Sequence, residues 1–316
     1  MNVATEMFVL FASLITLSVS SRVVVGSATK IARVTRIGDL VVGFILLSIA
    51  TNIPEIAVAF SALTSNNVQL TLGNILGSNI TNLSLIIGVA AILVPTTITI
   101  RKKELGALSL MLFLTSFITL ILLWFGVLSK IFGLILLFVF VYFCYYSVRK
   151  EITTGKIKDH KLIANLSRLV LLVCAGIFFV IVSARFVVNS SLRIAENLGI
   201  DASVIGATII AIGTSLPELS ITLEAVRKRH VNLALGDLVG GCLTKLTFLL
   251  GLVLLFSTFA VETTVYSTLV LFSLTATILL WHFISDGKLQ LKEGLILLLV
   301  YLIFLLTTFG VEISLA

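Results

Sequence analysis

Long apolar stretches alternate with short polar ones along the whole chain. Ten of the apolar stretches run to about 20 residues, the length an α-helix needs to cross a bilayer. They lie near 4–21, 39–63, 70–94, 106–126, 129–147, 167–188, 202–225, 232–257, 264–284 and 290–310. No segment between them is long enough for a separate folded domain, and the longest, 148–166, is rich in Lys and Arg. The pattern predicts an all-α membrane protein with ten transmembrane helices. The first stretch carries Glu6 rather than a basic leader, and Arg22 follows it. It therefore reads as a retained span rather than a cleaved signal.

The pattern occurs twice. Residues 22–88 align without a gap on residues 185–251, at a constant offset (218 − 55 = 163; 251 − 88 = 163). Roughly a third of the aligned positions are identical, far above chance for one fixed register. Each half holds five predicted spans, and an odd number of crossings inverts the second copy. The expected organisation is a first five-helix half at 1–147, a basic cytoplasmic linker at 148–166 and an inverted second half at 167–316. A pseudo-two-fold axis then lies in the membrane plane.

Composition narrows the class. With 59% hydrophobic and 12% charged residues, and a mean hydropathy of +1.19, a soluble globular domain is excluded. Most of the basic residues fall on one side of the predicted topology, with Arg22, Lys130, Arg185 and Arg193 on the other. The majority side holds Lys30, Arg33 and Arg36, then Arg101 to Lys103, the 148–166 loop, Arg227 to Arg229, and Lys288 with Lys292. The positive-inside rule makes that side cytoplasmic and places both termini outside. Topology accounts for the net charge of +7, so no nucleic-acid partner is implied. The lipid bilayer and inorganic cations are the expected partners, and no protein partner is evident. Cys144, Cys174 and Cys242 lie in apolar spans and read as packing residues. His160, His230 and His282 show no metal-ligand spacing. No nucleophile and base pair stands out, so neither an enzyme nor a cofactor is expected.

Polar residues inside these spans carry the functional signal, because polar groups in hydrocarbon are costly. The second span reads Ala50-Thr51-Asn52-Ile53-Pro54-Glu55, and its twin reads Gly213-Thr214-Ser215-Leu216-Pro217-Glu218. Proline has no N–H, so the carbonyls four residues back, at Ala50 and Gly213, lose their helical partner. Thr51 and Glu55, and likewise Thr214 and Glu218, are four apart on one helix face. Carbonyls, hydroxyls and a carboxylate together suit a hard cation such as Ca2+. The third span and its twin read Gly73-Asn74-Ile75-Leu76-Gly77-Ser78-Asn79-Ile80-Thr81-Asn82 and Gly236-Asp237-Leu238-Val239-Gly240-Gly241-Cys242-Leu243-Thr244-Lys245. Gly73, Gly77, Gly236 and Gly240 read as close-packing positions. Asn74, Ser78 and Asn82 share one stripe, matched by Asp237, Gly241 and Lys245.

A Pro-Glu broken helix followed by Gly-Asn-x-x-Gly-Ser-Asn, present twice in inverted halves of five spans, resembles the calcium/cation antiporter superfamily. The prokaryotic sodium/calcium exchangers are the branch it is most similar to. The resemblance implies that Glu55 and Glu218 coordinate Ca2+ and Na+. It implies further site positions at Thr51, Asn52, Ser78 and Asn82, and at Thr214, Ser215, Gly241 and Lys245. Asn52 and Gly241 stand where the family has serine, and Lys245 where it has an acidic or amide residue. Asp237 occupies a position that is usually Asn and returns one carboxylate nearby.

The expected function is a secondary antiporter exchanging a divalent cation, Ca2+, against Na+. Two alternatives stay open: an H+-coupled divalent exchanger, and a non-transporting scaffold or sensor whose site is neutralised. Lys245 and Gly241 decide among them as site-modulating residues. Helical side chains tilt toward the N-terminus, so the Lys245 stem is expected to run back over Gly241. Its ammonium then reaches the paired glutamates as a tethered substitute for one bound cation.

Overall fold

The computed structural model describes residues 3–35, 52–93, 98–99, 109–119, 127–128, 130–149, 166–227, 231–256, 259–260, 263–286 and 288–315. The described residues are helical apart from two pairs of two-residue strands and short turns. Among the described residues, seven helices are long and apolar enough to cross a membrane: Val3–Val24, Val68–Leu93, Ser167–Leu198, Ala202–Leu223, Ala234–Phe256, Tyr266–Asp286 and Leu291–Gly310. Ile53–Thr64, Ser109–Thr119 and Lys130–Tyr145 are shorter apolar helices. Phe8, Phe11, Phe138, Leu171, Phe178 and Leu306 are exposed large hydrophobics, a surface suited to lipid rather than water.

The duplication is visible element by element. Helix α1 (Val3–Thr35) and its counterpart Leu166–Leu198 both have 33 residues, at the sequence offset (166 − 3 = 163), and they pack on one another. Helix α2 (Ile53–Thr64) matches Leu216–Arg227, both of 12 residues. Helix α3 (Val68–Ile80) matches Val231–Thr244. Beyond the aligned region the offset becomes 161. Strand β1 (Ile98–Thr99) pairs antiparallel with Lys288–Leu289, and β2 (Val127–Leu128) with Phe259–Ala260. Since 259 − 98 and 288 − 127 are both 161, each pairing is the other's equivalent.

Local sequence explains the breaks that position the site. Pro54 lies in the first turn of α2, where a missing N–H costs nothing. Asn52 precedes it with φ −87° and ψ 10°, outside the helical region. Ser215 makes the matching break, with φ −84° and ψ 4°, between Ala211–Thr214 and Leu216–Arg227. Each break leaves a glutamate, Glu55 or Glu218, in the first turn of a helix. The partial positive charge of a helix N-terminus favours an acid there. Asn67 caps α3 by accepting from Leu70 N at 3.0 Å, and Asp201 caps Ala202–Ile205 by accepting from Ser203 N at 2.9 Å.

Glycines allow the two copies to interlock. A Cβ on Gly73 would lie 2.1 Å from the Ser203 carbonyl oxygen, and one on Gly77 2.2 Å from that of Ala207. Helix α3 therefore meets the segment around 203–207 backbone to backbone. Gly88 and Gly294 face each other in the same way, as do Gly133 and Gly251. These two contacts are also equivalents (251 − 88 = 163; 294 − 133 = 161).

Among the described residues three stretches are π-helical: Thr81–Ile86, Gly206–Ile210 and Lys245–Leu249. The first and third follow α3 and Val231–Thr244 directly, so equivalent helices widen at equivalent places. Such turns concentrate at functional sites. Nothing in residue type announces an i→i+5 bond, and these turns are not part of the expectation from sequence.

Candidate cation site

Glu55 and Glu218 are both buried, at 0% and 3% exposure, deep in a lipid-facing protein. Their four carboxylate oxygens have no hydrogen-bond partner among the described residues. An unsatisfied buried carboxylate is expensive unless a cation balances it. The same central layer holds Asn52, Ser78, Asn82, Thr214 and Ser215, all buried. Ala50 and Thr51, the other expected positions, lie outside the described residues.

Lys245 is the one cationic side chain in this layer among the described residues. It is 0% exposed and among the largest fully buried side chains. Its Nζ lies 3.8 Å from Glu55 Oε1. With the Asn82 amide oriented to satisfy its neighbours, Nζ also donates to Asn82 Oδ1 at 2.9 Å. Asn82 Nδ2 in turn donates to Ser215 Oγ at 3.1 Å and to the Ser78 carbonyl at 3.3 Å. One chain of contacts thus joins Lys245 and Ser215 of the second copy to Glu55, Asn82 and Ser78 of the first. The charges of Glu55, Glu218 and Asp237 all lie within electrostatic reach of Lys245.

The route of the Lys245 side chain differs from the expectation. A Cβ built on Gly241 would meet only Asn52 Nδ2, at 3.6 Å, so the lysine stem does not run over the glycine. Lys245 is the first residue of the π-helical turn Lys245–Leu249. The ammonium reaches Glu55 and Asn82 of the other copy, as expected from sequence. The space beside Gly241 faces Asn52 instead.

The polar neighbours sort into two groups. Thr214 Oγ1 donates to Asn74 Oδ1 at 3.3 Å, linking the two copies beside the glutamates. Asn79 Nδ2 donates to the Cys242 carbonyl at 3.4 Å. These two are equivalent residues (242 − 79 = 163), so the copies touch at their own counterpart positions. Ser78 Oγ donates to the Ile75 carbonyl at 3.1 Å and Thr244 Oγ1 to that of Gly240 at 2.9 Å. Both hydroxyls keep lone pairs to accept from, or to bind a cation with. Asp237 Oδ2 is buried and without a hydrogen bond among the described residues. Gly213 is buried in the turn before the Ser215 break. Sequence reasoning left Asn74 out of the ligand set. Its place on the stripe with Ser78 and Asn82 was the signal that it faces this layer.

Among the described residues no three carboxylate, imidazole or thiolate side chains come together as in a metal centre. A cation between the glutamates would therefore draw on hydroxyl, amide and main-chain oxygens as well. That mixed oxygen set suits hard cations that bind and leave.

The sodium/calcium exchanger protein family matches residues 5–149 and 168–310. The sodium/calcium exchanger MaX1 of Methanosarcina acetivorans is 28% identical, over 97% of this chain and 99% of its own length. The inner membrane protein YrbG of Escherichia coli is 30% identical, over 81% of this chain and 82% of its own. Among solved structures, the sodium-calcium exchanger NCX_Mj soaked with 10 mM Na+ and 10 mM Sr2+ superposes with a TM-score of 0.69. It is 26% identical and covers 96% of this chain and 98% of that one. The family match spans nearly the whole sequence, and the fold is shared over the same length. This chain is a multi-pass membrane protein that belongs to the sodium/calcium exchanger family of cation transporters.

Proposed function

We propose that this protein is a secondary antiporter that exchanges Ca2+ for Na+ by alternating access. Ten spans form two inverted halves, 1–147 and 167–316, joined by the cytoplasmic segment 148–166, with both termini outside. Inverted halves supply two nearly equivalent conformations, one open to each side. The observation that carries the reading is the pair of buried glutamates, Glu55 and Glu218, on equivalent broken helices, their carboxylates without hydrogen bonds among the described residues. Asn52, Ser78, Asn82, Thr214 and Ser215, with Thr51 and the carbonyls of Ala50 and Gly213, supply the remaining oxygens. Asp237 adds a third carboxylate, and Lys245 and Gly241 modulate the site. No cofactor takes part, since the ions are cargo.

The test is radiolabelled Ca2+ uptake into proteoliposomes loaded with Na+. Glu55→Gln and Glu218→Gln each abolish Na+-driven uptake while the protein still elutes as a folded species. Each change removes a charge that offsets dehydration of a divalent ion. Wild-type flux in either variant sinks the site assignment. Buried Lys245 favours one rival coupling, in which H+ drives the cycle. A pH gradient imposed without Na+ separates the two, because only the rival predicts uptake under that condition.

A further inference from the structure

We infer that Asn52 and Gly241 make the cation layer one-sided: monovalent cations bind beside Ser78 and Ser215, and the equivalent position beside Asn52 and Gly241 is lost. The inference rests on the antiport reading above and names the residues that decide where, and how steeply, Na+ binds.

The internal duplication supplies the comparison. Positions 52 and 215 are equivalent, and so are 78 and 241 (215 − 52 = 163; 241 − 78 = 163). The pair Ser215 with Ser78 therefore has the pair Asn52 with Gly241 as its counterpart. Both pairs come together in the structure. Asn82 Nδ2 donates to Ser215 Oγ at 3.1 Å and to the Ser78 carbonyl at 3.3 Å, which gathers the first pair. A Cβ on Gly241 would lie 3.6 Å from Asn52 Nδ2, and among the described residues nothing else beyond its own helix backbone comes within 4 Å. Asn52, Ser78, Ser215 and Gly241 are all buried.

The exchange conserves bulk and changes chemistry. Asn with Gly carries as many side-chain heavy atoms as Ser with Ser, so the helices keep their spacing. The ligand set is not conserved. Two serines offer two hydroxyl oxygens, and each can turn a lone pair toward a small hard cation. Ser78 Oγ gives its proton to the Ile75 carbonyl at 3.1 Å and keeps its lone pairs. In the other cluster Gly241 offers no side chain, and the end of Asn52 that faces it is the NH2 end. An N–H group turned toward that space disfavours a cation in it.

The third equivalent position points the same way. Asn82 has Lys245 as its counterpart (245 − 82 = 163). One cluster thus holds Ser78, Asn82 and Ser215, and its twin holds Gly241, Lys245 and Asn52. Side-chain oxygens fall from three in the first to one in the second. The glutamates are the same in both copies, at 55 and 218. The exchange therefore keeps the carboxylates on which a divalent cation depends. It removes the neutral oxygens that a monovalent cation uses beside one of them.

The experiment swaps the two pairs. It reads Na+-driven flux of radiolabelled Ca2+ in proteoliposomes and, separately, the melting temperature in detergent against Na+ concentration, which requires no transport. Asn52→Ser/Gly241→Ser rebuilds the serine pair in the second cluster. It should raise the Na+ Hill coefficient by about one and steepen the rise of melting temperature with Na+. Ser78→Gly/Ser215→Asn copies the second pair into the first cluster. It should raise the half-saturating Na+ concentration at least about tenfold and flatten that rise. An unchanged Hill coefficient with an unchanged melting profile in Asn52→Ser/Gly241→Ser overturns the inference and leaves antiport standing. Half-saturation within about twofold of wild type in Ser78→Gly/Ser215→Asn overturns it as well, and this variant carries the test alone if the first does not fold. A wild type without Na+-driven flux overturns the antiport reading, and the melting profiles then still decide whether the two clusters differ.

Discussion

A lysine with no exposed surface in a membrane protein has to be held by specific partners. Lys245 has Glu55 Oε1 at 3.8 Å and Asn82 Oδ1 at 2.9 Å. Removing one partner of a buried pair leaves an uncompensated charge and costs about 3–5 kcal/mol, whereas replacing both by neutral groups is often close to neutral. Glu55→Gln should therefore lower stability by an amount of that order. Glu55→Gln/Lys245→Met should recover most of the loss although neither variant transports. Thermal unfolding in detergent measures this directly. Equal melting temperatures for the single and double variants would show that the pair is not what holds Lys245. The prediction separates stability from transport at one residue, which a flux assay alone cannot do.

At the scale of helices, close approach of backbones holds the layer in register. Helix α3 crosses the 203–207 segment where Gly73 and Gly77 leave no room for a Cβ, and the nearest obstacles are main-chain carbonyls. A backbone cannot swing aside as a side chain can, so overpacking here costs about 1–3 kcal/mol or more. Gly77→Ala should lower the melting temperature and weaken Na+-driven flux. Gly26→Ala, with nothing within 4 Å of the added Cβ, should leave both unchanged. Similar melting curves for the two variants would count against the tight crossing. These glycines were legible in the sequence, because Gly73 and Gly77 stand four apart in an apolar span. The broken helices were legible too, through Pro54 and Pro217. The route of Lys245 was not. It ends at Asn82 and Glu55 of the other copy, and spacing along one helix does not say which groups of the other copy lie across from it. The Asn74–Thr214 contact escaped for a related reason. The stripe on α3 was visible, but which helix of the other copy lies against it depends on how the halves dock.

For the whole molecule, the constant offset does more than reveal an ancestry. Contacts recur between equivalent partners: β1 with Lys288–Leu289 and β2 with Phe259–Ala260, and Gly88 with Gly294 and Gly133 with Gly251. Asn79 meets its own counterpart Cys242, as residues beside a two-fold axis do. The proposed axis in the membrane plane turns one half over, so equivalent loops should emerge on opposite faces. The short connection at 65–68, between α2 and α3, has its equivalent at 228–231. On the proposed topology, positive-inside bias puts the second loop in the cytoplasm, with Arg227 to Arg229, and the first outside. Single cysteines at Asn66 and at Arg229, in a background lacking Cys144, Cys174 and Cys242, give the test. A membrane-impermeant maleimide added to intact cells should label the cysteine at 66. It should label the one at 229 only after the membrane is opened. Labelling of both from the same side would mean that the copies are parallel. The two glutamates would then face the same direction, and the symmetry argument for two equivalent conformations would fail with the topology.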